Sequence, residues 1–391
     1  MALPPLKGVR VVELARILAG PWAGQMLADL GADVVKVENP EGGDDTRKWG
    51  PPFVTGVDGE NLSAAYYHSC NRGKRSAAID FSTPEGAEAV RRLATGADVL
   101  IENFKLGGLK KYGLDYESLR AVNPRLVYCS ITGFGQTGPY APRAGYDFIV
   151  QGMSGLMSIT GAAGGEPQKV GVAVTDLFTA LYAVIAIQAA LRHAEATGEG
   201  QHVDMALFDS QISVLANQNL NYLVSGTAPT RMGNAHPNIA PYEVLPVRDG
   251  HFILAVGNDG QFGKFCAVVG LEGLPKDERF ATNAARVANR AGLREKMLAA
   301  LAAFDRDALL AKLEAAGVPA SPINDIGQMF ADPQVVARGM RMDLDDGHGN
   351  RLPSVRAPMV MSATPLAYDR PSPRLGEHTA EILAELEEPA K

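Results

Sequence analysis

The chain has 391 residues, of which 46% are hydrophobic and 21% are charged, and its formal net charge is -7 at pH 7. This length and composition predict a globular protein of two domains, each with a sizeable core. The negative charge argues against non-specific nucleic-acid binding, so an anionic ligand would need a local basic patch.

The cysteine pattern and the apolar runs indicate the compartment. Cys70, Cys129 and Cys266 are far apart and form no CxxC or Cys/His cluster. That spacing is typical of packing residues in a reducing compartment and not of a disulfide framework or a zinc site. The amino terminus has no signal-peptide pattern, and no apolar run is long and uninterrupted enough to predict a membrane helix. We therefore expect a cytoplasmic protein with no bound metal and no membrane partner.

The chain begins with a predicted parallel βαβ unit. Residues 8–15 are a short apolar run suited to a buried strand, residues 20–30 read as a helix with Pro21 near its start, and residues 32–38 form the next strand. The loop that joins the first strand to the helix contains Arg16 and lies where doubly wound sheets bind ligands. The polar, turn-rich residues 41–52 predict a surface loop.

Basic side chains recur beside the predicted strands. Three such places carry Arg16, Lys74 with Arg75, and Lys105 with Lys110 and Lys111. Scattered surface lysines would give the same composition, but repeated placement at strand ends favours a polyanionic ligand such as a nucleotide or coenzyme A.

The segment from Gly133 to Gly138 has the G-x-G-x-x-G spacing of dinucleotide-binding proteins. That motif requires a helix to begin inside it, so that the pyrophosphate meets the helix amino terminus. Here Pro139, Pro142 and Gly145 follow at once, which predicts a loop and disfavours a nicotinamide dehydrogenase.

Asp176 is the one carboxylate at the head of a long apolar helix. Between Leu177 and Leu191 the clearly polar residues are Thr179 and Gln188, so we expect this helix to be apolar nearly all round and to run through a core. A carboxylate in the first turn faces unpaired N–H groups and the positive end of the helix dipole, which favours its ionised form. Such a group serves as a helix cap, a general base or a nucleophile, and the helix pattern leaves these roles open.

The second half of the chain predicts a smaller domain. A helix is expected over residues 209–223, and the linker-like stretch that starts at Ser225 indicates a domain boundary. Residues 242–247 and 251–256 predict a hairpin, and Ala- and Leu-rich helices follow through Ala316. The tail ends in a further predicted helix after Gly376.

Taken together, these motifs resemble the family III coenzyme A transferases, the CaiB/BaiF family, over essentially the whole chain. The motifs that carry the resemblance are Leu-Ala-Gly-Pro21, Leu-Gly-Ala-Asp-Val-Val-Lys-Val-Glu38, Gly-Asp-Asp-Thr-Arg47, Asn-Arg-Gly-Lys-Arg-Ser76, Glu-Asn-Phe104, Gly-Phe-Gly-Gln-Thr-Gly-Pro139, the Asp176 segment, Gly-Val-Pro319 and Gly-Glu-His-Thr379. Formyl-CoA transferase and the carnitine CoA-transferases belong to this family, but Leu18 and Asn39 depart from the formyl-CoA transferase pattern, which disfavours an oxalate enzyme.

The resemblance implies an α/β fold: a Rossmann-like large domain with an inserted small α+β domain, in an interlocked homodimer. The large domain would span residues 1–224 plus 330–391 and bind CoA. The small domain with its linkers would span residues 225–329.

The resemblance also implies the site residues. Asp176 is the expected nucleophile. The expected coenzyme contacts are Arg16, Leu18, Ala19, Ile79, Asn103, Phe104, Lys105, Lys111, Arg143 and Tyr146. The expected substrate contacts are Tyr146, Gly257, Asn258, Gly260 and Gln261. Backbone N–H groups near Gly257 to Gly260 are expected to shelter an oxyanion.

The implied activity is CoA transfer from an acyl-CoA, with succinyl-CoA the expected donor, to a carboxylic acid that is expected to be a dicarboxylate. No cofactor is bound permanently, and CoA thioesters are the substrates. One alternative is an α-methylacyl-CoA racemase or epimerase. Those enzymes resemble this chain but have a histidine where this chain has Tyr146, and tyrosine is a poor base near neutral pH. A second alternative is a non-catalytic CoA-binding protein.

Overall fold

The structure is a computed structural model and describes residues 2–387. The helices and strands of the first part of the chain are β1 (Arg10–Glu13), α1 (Ala19–Asp29), β2 (Asp33–Glu38), β3 (Phe53–Thr55), β4 (Asn61–Ala64), α2 (Ala65–Ser69), β5 (Arg75–Ala78), α3 (Pro84–Thr95), β6 (Val99–Glu102), α4 (Tyr116–Arg120), β7 (Val127–Thr132), α5 (Asp147–Met153), α6 (Leu156–Ile159), α7 (Val174–Thr197) and β8 (His202–Ala206). Those that follow are α8 (Leu207–Ser213), α9 (Asn217–Ser225), β9 (Tyr242–Val247), β10 (Gly250–Ala255), α10 (Asp259–Val269), α11 (Asn283–Ala288), α12 (Arg290–Leu301), α13 (Arg306–Ala315), β11 (Ala320–Ser321), α14 (Ile326–Ala331), α15 (Pro333–Ala337), β12 (Arg341–Asp345), β13 (Arg351–Val355) and α16 (Thr379–Glu387).

A six-stranded sheet in the order β5-β2-β1-β6-β7-β8 is the centre of the large unit. Every neighbouring pair in it is parallel. The chain builds outward from β1 in one direction and then returns to β6 on the other side, so the strand order reverses between β1 and β6. This is the doubly wound arrangement, in which ligands bind at the carboxyl ends of the strands beside the reversal. The predicted α/β fold with a parallel sheet is confirmed.

Both faces of this sheet are covered, as a parallel sheet requires. On one face, Ala23 and Leu27 of α1 pack with Ala183 and Ile187 of α7. On the other face, Val90 of α3 belongs to a separate buried cluster together with strand and loop side chains. The helix α3 begins after Thr83, whose hydroxyl caps it by accepting the N–H of Gly86 at 3.1 Å.

Helix α7 is apolar around most of its surface, but only part of that surface is covered within the chain. Ala180, Ala183 and Ile187 are buried, whereas Tyr182 is 40% and Ile185 is 64% exposed. The prediction that the helix runs through a core therefore holds for one side alone. By length and composition α7 is also the helix within residues 2–387 that could cross a membrane, and its packing on the sheet gives another reason for its apolar sequence.

Lys74 and Arg75 do not serve the predicted polyanion site. Lys74 is fully buried, with Nζ 2.8 Å from Oε2 of Glu13, and Arg75 pairs with Asp33 at 2.5 Å. Lys74 and Arg75 lie where β5 begins, and each pairs with an acidic residue of another strand, Lys74 with the last residue of β1 and Arg75 with the first residue of β2. The sequence pattern did not reveal these partners.

The segment predicted as a surface loop at residues 41–52 is partly interior. Asp44, Thr46 and Arg47 are buried, and a 3-10 turn forms at Asp45–Lys48. The guanidinium of Arg47 donates to Oε1 and Oε2 of Glu38 at 2.7 and 2.8 Å. The charged side chains of Asp44 and Arg47 can be buried because each has a charged or hydrogen-bonding partner. The sequence composition does not reveal these partners.

The chain divides into two compact units. The second consists of Met157–Lys169 and Ser225–Asp332, and the first is the described remainder of the chain. In the second unit the predicted hairpin is present as antiparallel β9 and β10, with β11 on the other edge of β10. Its core contains Phe252, Phe262 and Met297. The sequence assigned residues 157–169 and 330–332 to the large domain, whereas the structure groups both segments with the second unit.

Candidate active site

A cavity of about 500 Å³ opens beyond the carboxyl ends of β1, β6 and β7. Nine of the residues predicted from the sequence line it: Arg16, Ala19, Asn103, Phe104, Lys105, Lys111, Arg143, Tyr146 and Asp176. They come from five separate stretches of the chain, and the sheet brings them together because parallel strands end at one edge. Their role in binding CoA stays a prediction.

Leu18 and Ile79 do not line this cavity. Leu18 is 7% and Ile79 is 6% exposed. Ile79 instead lines a smaller neighbouring cavity of about 230 Å³, which also includes Arg16 and Phe104.

The loop after β1 is joined to the end of β6 by two hydrogen bonds. The backbone N–H of Arg16 donates to Oδ1 of Asn103 at 2.9 Å, and Nδ2 of Asn103 donates to the carbonyl of Arg16 at 2.6 Å. The guanidinium of Arg16 lies 5.5 Å from the centre of the Phe104 ring and 3.2 Å from a carboxylate oxygen of Asp45. Because the two strands are neighbours, their ends meet, and the asparagine side chain fixes the basic residue at the cavity wall.

Three aromatic rings form one wall of the cavity. The Phe81 ring lies edge-on to Phe104 and to Tyr112, with 5.6 Å between ring centres in each pair. The family resemblance implied coenzyme contacts at Phe104 and along the segment from Ile79 to Ser82, which contains Phe81, whereas Tyr112 was not predicted.

The glycine-rich segment after β7 is a loop, as predicted, and the next helix along the described chain, α5, begins only at Asp147. Its glycines allow two backbone stretches to cross closely. A Cβ on Gly133 would lie 2.5 Å from Cα of Gly145, so a larger residue at either position would separate the two ends of the loop. This crossing places Arg143 and Tyr146 on the cavity.

Asp176 is the third residue of α7, and its carboxylate faces the cavity. Within residues 2–387 it has neither a hydrogen bond nor an ion pair. Burial, and secondly the negative charge of Asp147, raise the pKa of Asp176 to about 7. The expectation that the helix terminus keeps this group ionised is therefore wrong at acidic pH, because removal from water outweighs the helix dipole.

The side chain of Asp147 accepts a hydrogen bond at the start of α7, as the side chain of a capping residue would. Its Oδ1 accepts the backbone N–H of Thr175 at 2.8 Å, and its Oδ2 accepts Nε2 of Gln151 at 2.7 Å. The hydroxyl of Thr175 in turn donates to Oε1 of Gln211 at 2.8 Å. These bonds hold the first turn of α7, and they leave Asp176, one residue later, without a partner in the part of the chain that the structure describes.

The glycine-rich stretch predicted to shelter an oxyanion lies in the second unit and is the start of a helix. Asn258 caps α10 by accepting the N–H of Gln261 at 2.9 Å, and the N–H of Gly257 donates to Oε1 of Gln261 at 2.7 Å. Two of the N–H groups in this stretch are thus occupied by the cap itself. The substrate role of Gly257, Asn258, Gly260 and Gln261 stays a prediction.

A family model described as CoA-transferase family III matches residues 6–379. The chain belongs to this family. It is 66% identical over 384 residues to the succinate–glutarate CoA-transferase of Agrobacterium fabrum, covering 98% of this chain and 96% of that protein. It is 41% identical to the human succinyl-CoA:glutarate CoA-transferase, covering 98% and 86%. A crystal structure of a CaiB/BaiF family protein from Brucella suis has a TM-score of 0.88 and 62% identity, over 99% of this chain and 100% of that one.

The predicted enzyme class is confirmed: this protein is a family III CoA-transferase. CoA thioesters and carboxylic acids are the substrates that such an enzyme exchanges.

Proposed function

We propose that this family III transferase moves CoA from succinyl-CoA to glutarate or another short dicarboxylate, through an aspartyl-CoA thioester on Asp176. The observation that carries the proposal is a carboxylate without a partner among the described residues, in a cavity edged by basic side chains. The relatives named as succinate–glutarate and succinyl-CoA:glutarate CoA-transferases support the choice of donor and acceptor. A relative named as a succinyl-CoA:mesaconate CoA-transferase, 41% identical, supports the dicarboxylate class more broadly.

The first half of the reaction transfers CoA to the protein. The Asp176 carboxylate attacks the thioester carbonyl of succinyl-CoA, forming a mixed anhydride and releasing the CoA thiolate. The thiolate then attacks the aspartyl carbonyl of this anhydride. The C–O bond to succinate breaks, succinate leaves, and CoA is held on Asp176 as a thioester.

The second half repeats these steps in the opposite direction. A carboxylate of glutarate attacks the aspartyl thioester and gives a new mixed anhydride with release of the thiolate. The thiolate attacks the glutaryl carbonyl, so glutaryl-CoA forms and Asp176 is regenerated. No proton is consumed or released overall, because a carboxylate is exchanged for a carboxylate.

The charges around the cavity fit an anionic thioester. We assign Arg16, Lys105, Lys111 and Arg143 to the phosphates of CoA, since cationic donors bind phosphate oxygens more strongly than neutral donors do. The rings of Phe81, Phe104 and Tyr112 supply the apolar wall that the remainder of the coenzyme requires. The net charge of the whole chain is negative, so this local basic edge would account for CoA binding.

We further propose that the enzyme works as an interlocked homodimer in the cytoplasm. The support for self-association is apolar side chains exposed on helices of the large unit, namely Leu181, Tyr182, Ile185, Leu220, Leu223 and Val224. Exposed apolar surface of this kind is typical of an interface between proteins. The support for the compartment is that Cys70, Cys129 and Cys266 are all free and buried.

The test is to incubate the purified protein with succinyl-CoA and glutarate and to follow glutaryl-CoA by mass spectrometry. Malonate, adipate and acetate serve as competing acceptors and acetyl-CoA as a competing donor. We expect glutaryl-CoA to form fastest, and Asp176→Asn to form none. Transfer to acetate as fast as to glutarate would overturn the substrate proposal.

A second arm separates the transferase from the racemase alternative. With 2-methylacyl-CoA in deuterium oxide we expect no α-deuterium, because Tyr146 stands where the racemases have histidine. Rapid α-deuteration without transfer to any acid would instead make Asp176 a general base.

A further inference from the structure

One residue at the cavity has a backbone conformation that its own side chain opposes. Ile17, which follows Arg16 and precedes α1, has a φ of +74° and lines the cavity. For a β-branched residue the left-handed region is an outlier, because Cβ crowds the neighbouring carbonyl. Such a conformation persists only where surrounding contacts impose it.

The backbone N–H of Ile17 faces a buried carboxylate, while its carbonyl lies 3.6 Å from Sγ of Cys70. Asp44 is 1% exposed, and its two oxygens lie 3.2 and 3.3 Å from the backbone nitrogen of Ile17. The carboxylate is itself oriented by Thr46, whose N–H and hydroxyl donate to Oδ1 at 3.0 and 2.7 Å. It also forms an ion pair with Lys36 at 2.9 Å.

Lys36 holds the same loop from the other side. Its Nζ donates to the carbonyl of Ala15 at 2.8 Å and to Oε1 of Glu13 at 3.0 Å. One buried ion pair, Lys36 with Asp44, therefore fixes the backbone both before and after Arg16. Asp44 lines the smaller cavity but not the cavity that holds Asp176.

We propose that Asp44 is a positioning residue for CoA transfer: together with Lys36 it holds Ile17 in the left-handed conformation and thereby fixes Arg16 and the amino end of α1 at the cavity wall. The proposal rests on the proposed function of that cavity as the acyl-CoA site. Without the carboxylate, the backbone at Ile17 relaxes toward negative φ, and the position of Arg16 then depends on the two hydrogen bonds with Asn103.

The test is a double-mutant cycle between Asp44→Asn and Ile17→Gly, read as KM and kcat with succinyl-CoA. Asn keeps the size of the side chain but removes the charge and presents an NH₂ group. In the wild-type background we expect Asp44→Asn to raise KM by about tenfold and to change kcat by less than about threefold. In the Ile17→Gly background the same substitution should change KM by less than about twofold, because glycine adopts positive φ at no steric cost.

Equal effects in the two backgrounds would overturn the proposal, because Asp44 would then act independently of the backbone at Ile17. The matched control is Glu41→Gln, the same acid-to-amide change at an exposed position of the same segment, which should leave KM unchanged. If Asp44→Asn does not fold, Thr46→Val replaces it, since this change removes one hydrogen bond to the carboxylate and keeps the charge. Its smaller rise in KM should likewise vanish in the Ile17→Gly background, and persistence there would contradict the proposal.

A readout that is independent of catalysis separates this inference from the proposed function. Amide hydrogen exchange of the peptide spanning residues 14–22 should be faster in Asp44→Asn, or in Thr46→Val, than in the wild type, and unchanged in Glu41→Gln. An unchanged exchange rate in the folded variant would overturn the positioning role. A wild type that transfers no CoA would instead defeat the proposed function, and the exchange rates would still decide whether Asp44 holds the loop.

Discussion

Asp176 is the proposed nucleophile, yet its raised pKa favours the protonated form up to about neutral pH. Burial is the larger cause and the charge of Asp147 the smaller. A carboxylate that is poorly solvated and without hydrogen-bond donors is more reactive once ionised, since no stabilising contact has to be broken before it attacks. The same lack of contacts makes ionisation costly in the folded protein.

The first prediction concerns Asp176→Asn, which should lower kcat by about a thousandfold or more because the amide cannot form the anhydride. In the wild type kcat/KM should fall by about tenfold per pH unit below pH 7, where the carboxylate is protonated. A pH–rate profile of the wild type and single-turnover assays of the variant measure both effects. Normal turnover in the variant would refute the nucleophile assignment.

The same substitution has a predicted effect on stability. The pKa of Asp176 is raised in the folded state from its ordinary value of 3.8 to about 7. Its contribution to stability is therefore full below about pH 4 and is lost as the pH rises through 7, because the unfolded chain ionises first. The melting temperature of Asp176→Asn should exceed that of the wild type more at pH 8 than at pH 4.

The second prediction concerns Asp147. In Asp147→Asn the side-chain oxygen still accepts the N–H of Thr175, but the negative charge beside Asp176 is gone. The pKa of Asp176 should fall, so the acid limb of kcat/KM should move to lower pH, while remaining above the ordinary aspartate range because burial persists. The matched control is Asp209→Asn, an exposed acid in the first turn of α8, which should leave the limb in place. An unmoved limb in Asp147→Asn would show that its charge does not reach the nucleophile.

The loops that follow the strands carry the basic residues of the site, and each loop is positioned by the end of the strand before it. The loop after β6 carries Asn103, Phe104 and Lys105 to the cavity, and the turn at Lys110–Tyr112 adds Lys111. In that turn Lys111 lines the cavity whereas its neighbour Lys110 does not. The two adjacent lysines thus differ in whether their side chains line the proposed CoA site.

The third prediction uses that pair. Lys111→Ala, and likewise Lys105→Ala, should weaken CoA binding by roughly 1 to 3 kcal/mol through the loss of a charge-assisted hydrogen bond. Lys110→Ala should leave the dissociation constant within about twofold of the wild-type value, since a solvated surface lysine contributes little. Isothermal titration with CoA measures all three variants. Equal losses for Lys110 and Lys111 would indicate a diffuse electrostatic effect and remove the specific assignment.

The large unit has exposed apolar side chains on two helices, which bear on whether the protein forms a homodimer. Helix α7 packs one side on the sheet and leaves Leu181, Tyr182 and Ile185 exposed, and α9 exposes Leu220 and Leu223. A helix surface of this composition is costly to leave in water at roughly 25 cal/mol per Å². Coverage by a second copy of the chain would remove that cost.

The fourth prediction follows from this surface. The wild type should sediment with twice the mass of one chain. Ile185→Glu should lower the proportion of dimer or the yield of soluble protein, because a buried unpaired charge is unfavourable at an interface. Glu195→Lys, an exposed charge change farther along the same helix, is the control and should leave the dimer intact. A monomeric, active wild type would contradict the homodimer.

Much of the fold and part of the site were open to prediction from the sequence. Short apolar runs indicate local structure, as at β1 and β2, since such signals act between near neighbours in the chain. The loop at Gly133 was predicted because three helix-breaking residues follow it directly. The family motifs then led to Asp176, and the enzyme class derived from them is confirmed.

Other features depended on which strands are neighbours and in which direction they run. Lys74 precedes its strand and pairs with Glu13 in the interior, whereas Lys105 follows its strand and lines the cavity, and composition alone does not distinguish them. The buried Asp44 looked like part of a polar surface loop because its partner, Lys36, lies on another element. The pKa of Asp176 depends on burial and on Asp147, which lies 29 residues earlier in the sequence. Desolvation and charge pairing act through space, so they are decided only when the chain has folded.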